Sequence, residues 1–328
     1  MKMINLLIAL RFGLIFGLSF ALGNLAFATD GGATEYSFSD RERGQQILTA
    51  DDNYMNRMSA AEIAIRTSSV TADKTVQDLK KLYQASVLDW SKAEIAHITA
   101  LVSANKKKLT SLQHLLPAEV TFIKVNDKVE GGLPHTRANA IILPLSGGPL
   151  TEKLFYHELF HVLSRHQLDK HHSLYGLLGF KPCDYRGNDE VNAKSLTNPD
   201  VPAAGYYLPV TLDGQASAIM TYLHAARAAF DPTIEKGFGG HFGFGLLKVK
   251  TDDGKCIVDT DAEGKAQLLN PAATADFFAA IGRNTSYIIH PEEVLAENFV
   301  FVMMGKKDLP NPEVMERLKT WLFQPILK

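Results

Sequence analysis

The feature that most restricts this chain is a five-residue stretch, His157-Glu158-Leu159-Phe160-His161, set inside an apolar helical run. From Thr151 to His166 the residues Leu154, Phe155, Leu159, Val162 and Leu163 recur three and four apart, the period of a helix with a face in a core. The break Ser146-Gly147-Gly148-Pro149 precedes it, and Thr151 suits the N-cap. Residues four apart share a helix face. Both imidazoles can therefore reach one ion while Glu158, one step round, points at the ion's open side. Packing alone gives no reason for a carboxylate on so apolar a helix, because burying it unpaired is costly.

A catalytic zinc normally takes three protein ligands and keeps a fourth position for water, so a third group must come from elsewhere. Extension to HExxHxxGxxH fails, since Ser164 stands at the glycine position and Gln167 at the last histidine position. His166, His171 and His172 lie out of register and are read as facing solvent on a helix end or loop. The better candidate is downstream, in Tyr287-Ile288-Ile289-His290-Pro291-Glu292-Glu293-Val294-Leu295-Ala296-Glu297. Pro291 suits a first helical turn, Glu293 and Glu297 then share a face, and Ala296 is small enough to let this helix approach the first closely.

HELFH followed by EVLAE resembles the gluzincin zinc metallopeptidases, most closely the catalytic domain of the anthrax lethal factor type. The resemblance spans the motif helix, the strand before it and the ExxAE helix. It implies an α+β, zincin-like fold that is mainly helical, with a small sheet before the motif helix. It also implies Zn2+ held by His157, His161 and Glu293, with Glu158 as general base and a peptide or protein as substrate. Glu297 becomes the acceptor of a ligand histidine's ring N–H. Tyr287 becomes the donor to the oxyanion, with His290 competing for that role, although the spacing from Tyr287 to Glu293 departs from the family's. Two other classes share these features: a non-catalytic zincin-fold module, secreted for binding or as a toxin, and a zinc amidase acting on cell-wall peptides.

The remaining sequence sets the context. Lys2 and Arg11, an apolar run from Phe12 to Leu22 and then Ala26-Phe27-Ala28 read as a signal peptide over 1–28. The run is well short of the roughly 20 apolar residues of a spanning helix, so the mature chain is expected in the periplasm or the medium, off the membrane. Lys and Arg number 34 against 36 Asp and Glu, which argues against a nucleic-acid partner. Cys183 and Cys256 could pair in an oxidising compartment or remain separate thiols.

Residues 29–115 form a helical N-terminal region, with several amphipathic helices over Ser39 to Leu115. Residues 116–328 form the catalytic region. Within it EVTFIKV and ANAIILP read as two strands of one sheet. The zincin resemblance implies that Arg137 to Ile142 is an edge along which a peptide could pair, the alternative being an ordinary sheet strand. Residues 168–271 read as an irregular, β-containing insertion that walls the substrate site, and a final helical section begins near Ala272.

Overall fold

The computed structural model describes residues 26–27, 33–202, 205–235 and 237–324. The expected export signal lies outside these residues except for Ala26–Phe27, and so does its cleavage point after Ala28. The fold is α+β. Strands β1 (Ala26–Phe27) and β2 (Glu35–Phe38) precede six helices: α1 (Arg41–Leu48), α2 (Asn53–Asn56), α3 (Ala60–Arg66), α4 (Val76–Ser86), α5 (Lys92–Ala104) and α6 (Lys106–Leu112). Then come β3 (Glu119–Val125), β4 (His135–Arg137), β5 (Ala140–Pro144), α7 (Glu152–His166) and α8 (His171–Gly176). The insertion carries β6 (Lys181–Pro182), β7 (Asp184–Arg186), α9 (Asp189–Lys194), β8 (Tyr206–Leu212), β9 (Gln215–Ala225), β10 (Phe242–Asp252), β11 (Lys255–Val258) and β12 (Leu268–Leu269). Helices α10 (Ala275–Ile281), α11 (Pro291–Met304) and α12 (Pro312–Leu322) close the chain.

The first sheet has the order β1-β2-β3-β5-β4, with β2, β3 and β5 parallel and β4 antiparallel at the edge. One face packs on α7 through Tyr36, Phe122 and Phe155, whose ring centroids lie 6.2 to 6.4 Å apart. On α7, Phe155, Tyr156, Leu159, Phe160, Val162 and Leu163 are all buried, and each stabilises the helix's seat by about 1.5–3 kcal/mol. The Thr151 side chain caps its start by accepting from Leu154 N. Helix α11 packs against α7, with Val294, Leu295, Ala296 and Phe299 in the same core.

Several expectations need correction. Residues 29–115 hold the strand β2 as well as helices, and it pairs with β3. Four residues are too short a run for periodicity to reveal. The N-terminal region therefore shares the sheet and core of the motif helix. Arg137 to Ile142 is not one strand: Ala138, at φ +49°, turns the chain from β4 into β5. The insertion is more regular than its Gly, Pro and Asp content suggests, because β8 to β11 form an antiparallel meander to which β6, β7 and β12 add. Cys183 and Cys256 form a disulfide that ties this sheet's β7 side to β11.

Candidate metal centre

Helices α7 and α11 bring three ligand atoms to one point. His157 Nε2 and His161 Nε2 lie 3.2 Å apart, and Glu293 Oε2 lies 3.3 Å from the first and 3.4 Å from the second. This is a nearly equilateral triangle. Four-coordinate tetrahedral ligation at about 2.0–2.1 Å requires ligand atoms about 3.3 Å apart. His161 and Glu293 are fully buried, and His157 keeps one edge toward solvent.

The partners of these residues favour one tautomer of each ring. His157 Nδ1 lies 3.1 Å from Glu297 Oε1, and His161 Nδ1 lies 3.0 Å from Glu292 Oε1. Each Nδ1–H donates to a carboxylate, which leaves each Nε2 with a lone pair aimed at the triangle's centre. Glu293 Oε2 is likewise buried with no hydrogen-bond partner. With Nε2 of both rings deprotonated, three electron-pair donors face one another, and the His157-His161-Glu293 cluster could hold a cation. Glu158, Glu292 and Asp200 are buried close by, and Arg165 and Lys153 are the neighbouring cations.

Burial works against charge on all three ligand groups. The carboxylates Glu293 and Glu297 nonetheless push His157 up to about 9, Glu293 and Asp200 raise His161, and the imidazoles hold Glu293 well below the usual carboxylate range. Protons therefore compete with a metal for the same lone pairs.

Glu158 is 2% exposed and its Oε2 has no partner. Burial first, then the nearby Asp200 carboxylate, pushes its pKa up to about 8. It lines a cavity of about 600 Å³ together with His157, Asp200 and Tyr287. Leu223, Phe238, Phe242 and Phe244 supply apolar lining from the insertion, and Leu133 and Pro134, which lead into β4, line it as well. Phe238 packs against Gly131, where any Cβ would approach its ring to 2.3 Å and the φ of +60° suits glycine.

Tyr287 stands at the cavity's mouth, 41% exposed, its ring stacked on His157 at 5.9 Å between centroids. Loss of water around its hydroxyl, reinforced by Glu293, Asp200 and Glu158, pushes its pKa up and keeps it a donor. His290 is placed differently from the expectation. Its Nδ1 accepts from Glu292 N, capping α11, and the residue does not line this cavity. Burial pushes its pKa down to about 4, so a neutral ring serves as the cap.

Sequence reasoning missed four contributors. Glu292 reads as one more acidic residue at a helix start, yet it accepts from His161, from Ser164 Oγ at 2.8 Å and from Tyr175 OH at 2.6 Å. His171, expected toward solvent, is 1% exposed, and its Nε2 lies 2.8 Å from Ser164 O. Asn198 and Asp200 come from the insertion. Asn198 Nδ2 donates to Glu293 Oε1 at 2.5 Å, and Asp200 Oδ1 accepts from Thr136 N at 2.6 Å. That last bond occupies an outward N–H of β4, so a peptide cannot pair at Thr136 in this arrangement. No family model, no curated protein and no solved structure matches the chain.

Proposed function

We propose that the protein is an exported zinc metallopeptidase of the gluzincin type, with a zincin-like catalytic region. The observation that carries this reading is the 3.2 to 3.4 Å triangle of two Nε2 atoms and one carboxylate oxygen, beside a buried glutamate in an open cavity. A nitrogen and oxygen donor set at tetrahedral spacing suits zinc. A disulfide suits an oxidising compartment, which supports export.

When bound, zinc supplies Lewis acidity, polarising the scissile carbonyl and lowering the pKa of water to about 7. Glu158 accepts the proton of the attacking water and returns it to the leaving amine. Tyr287 donates to the oxyanion from the cavity mouth. Glu297 and Glu292 hold the two imidazoles in the tautomer that keeps Nε2 unprotonated. The apolar lining of Leu223, Phe238, Phe242 and Phe244 excludes water and accommodates apolar side chains of a peptide.

Metal analysis of the purified mature chain, paired with digestion of a peptide library by wild type and Glu158→Gln, tests this. The expected result is one zinc per chain in both proteins and cleavage only by wild type. A wild-type protein that holds zinc and cleaves no peptide removes the peptidase reading and favours a non-catalytic module. Full cleavage by Glu158→Gln removes the mechanism.

A further inference from the structure

Glu293 has two oxygens in different surroundings. Oε2 faces the two imidazoles, and Oε1 accepts from Asn198 Nδ2 at 2.5 Å. The Asn198 amide cannot flip without loss, because its Oδ1 already accepts from Asp200 N at 2.9 Å. The NH2 group is thereby committed to Glu293.

The segment carrying Asn198 is bolted on three sides. Thr197 donates through N and Oγ1 to Glu62 Oε1, at 2.9 and 2.6 Å, and Thr197 O accepts from Arg66 Nη2 at 2.7 Å. Glu62 and Arg66 form a buried ion pair on α3, at 0% and 4% exposure, so this anchor belongs to the N-terminal helical region. On the far side Pro199 O accepts from Arg165 Nη2, and Asp200 grips Thr136 of β4. An ordinary surface loop, whose contacts are few and solvated, is not fastened in this way.

We propose that Asn198 is a positioning residue for the third metal ligand: by holding Oε1 of Glu293 it limits this carboxylate to one-oxygen ligation through Oε2. The inference rests on the metallopeptidase reading above. A carboxylate can bind a metal through one oxygen or both, and the second oxygen, if released, would compete for the coordination place that the reaction needs open. Glu293 is fully buried while Asn198 borders the cavity, so a leucine that fills the place of the amide keeps cavity water from replacing the lost donor. The anchor on Glu62 and Arg66 makes the N-terminal region part of the metal site's alignment.

The test uses the full mature chain as wild type, Asn198→Leu and Asn198→Ala. Leucine keeps the size of the side chain without a donor, and alanine is read if leucine does not fold. Each protein is loaded with cobalt(II), whose visible absorption weakens as coordination rises from four to five, and zinc affinity is measured by competition with a chelator. The expected result is a weaker cobalt absorption in the variants, a loss of zinc affinity of roughly 10- to 100-fold, and a fall in kcat with KM little changed. A cobalt spectrum identical to that of wild type overturns the proposal, whatever the activity does. Failure of wild type itself to take up cobalt or zinc overturns the metallopeptidase reading and this inference with it, and so is told apart from failure of the Asn198 role alone.

Discussion

Replacing Glu292 by glutamine probes the least visible part of the site. Its carboxylate is fully buried and meets three donors: the His161 ring N–H, the Ser164 hydroxyl and the Tyr175 hydroxyl. In Glu292→Gln one of the two acceptor atoms becomes an NH2 group among neighbours that donate. The least costly adjustment keeps the amide oxygen on His161 and turns the two hydroxyls to accept. A charge-assisted bond of about 1.5–3 kcal/mol then becomes a neutral one of about 0.5–1.5 kcal/mol, a loss of about 1–1.5 kcal/mol in holding the ring. At about 1.4 kcal/mol per decade this predicts roughly tenfold weaker zinc binding, at the lower end of the 10- to 100-fold range for partners of ligand histidines. The control is Glu297→Gln: this residue is 13% exposed and beside Lys153, so water can replace part of what is lost and the effect is smaller. Equilibrium competition with a chromophoric chelator at neutral pH measures both. A change below twofold in Glu292→Gln, or a larger loss in Glu297→Gln, refutes the argument that burial of the partner sets the cost.

Tyr287→Phe removes the proposed oxyanion donor and is expected to lower kcat on the order of 10²-fold, and an effect confined to KM in steady-state assays sinks that role. His135 is 1% exposed and burial pushes its pKa down to about 3, against about 6.5 in an unfolded chain. The neutral ring's contribution is complete above pH 6.5 and is lost as pH falls toward 3, at up to about 1.4 kcal/mol per pH unit. Urea titrations between pH 7 and 5 should thus show a flatter acid limb for His135→Gln, and superimposable limbs contradict the assignment. The Cys183–Cys256 bridge closes a span of 73 residues, so Cys183→Ser is expected to cost about 4 kcal/mol in the chain-entropy model. A midpoint unchanged in urea would show that the link constrains little in the unfolded chain.

What the chain's own pattern determined is local. The i, i+4 pair of His157 and His161, Glu158 beside them, the Thr151 cap, the Pro291 start of α11 and the shared face of Glu293 and Glu297 all follow from helix periodicity and end chemistry, which act over a few residues. The α+β class was legible for the same reason. What only the tertiary structure decided is which distant groups complete each local one. Glu292 looks like any acid at a helix start until α11 packs on α7 and brings it to His161. His171 reads as a loop residue until α8 folds it against Ser164. His290 offers the same imidazole as Tyr287 offers a phenol, and only the turn into α11 commits it to capping. Asn198 and Asp200 lie in a stretch with no period at all, and they reach Glu293 and Thr136 because a buried pair on α3, more than 130 residues earlier, holds Thr197. Hydrogen bonds between remote segments have no repeat along a sequence, so packing alone assigns them.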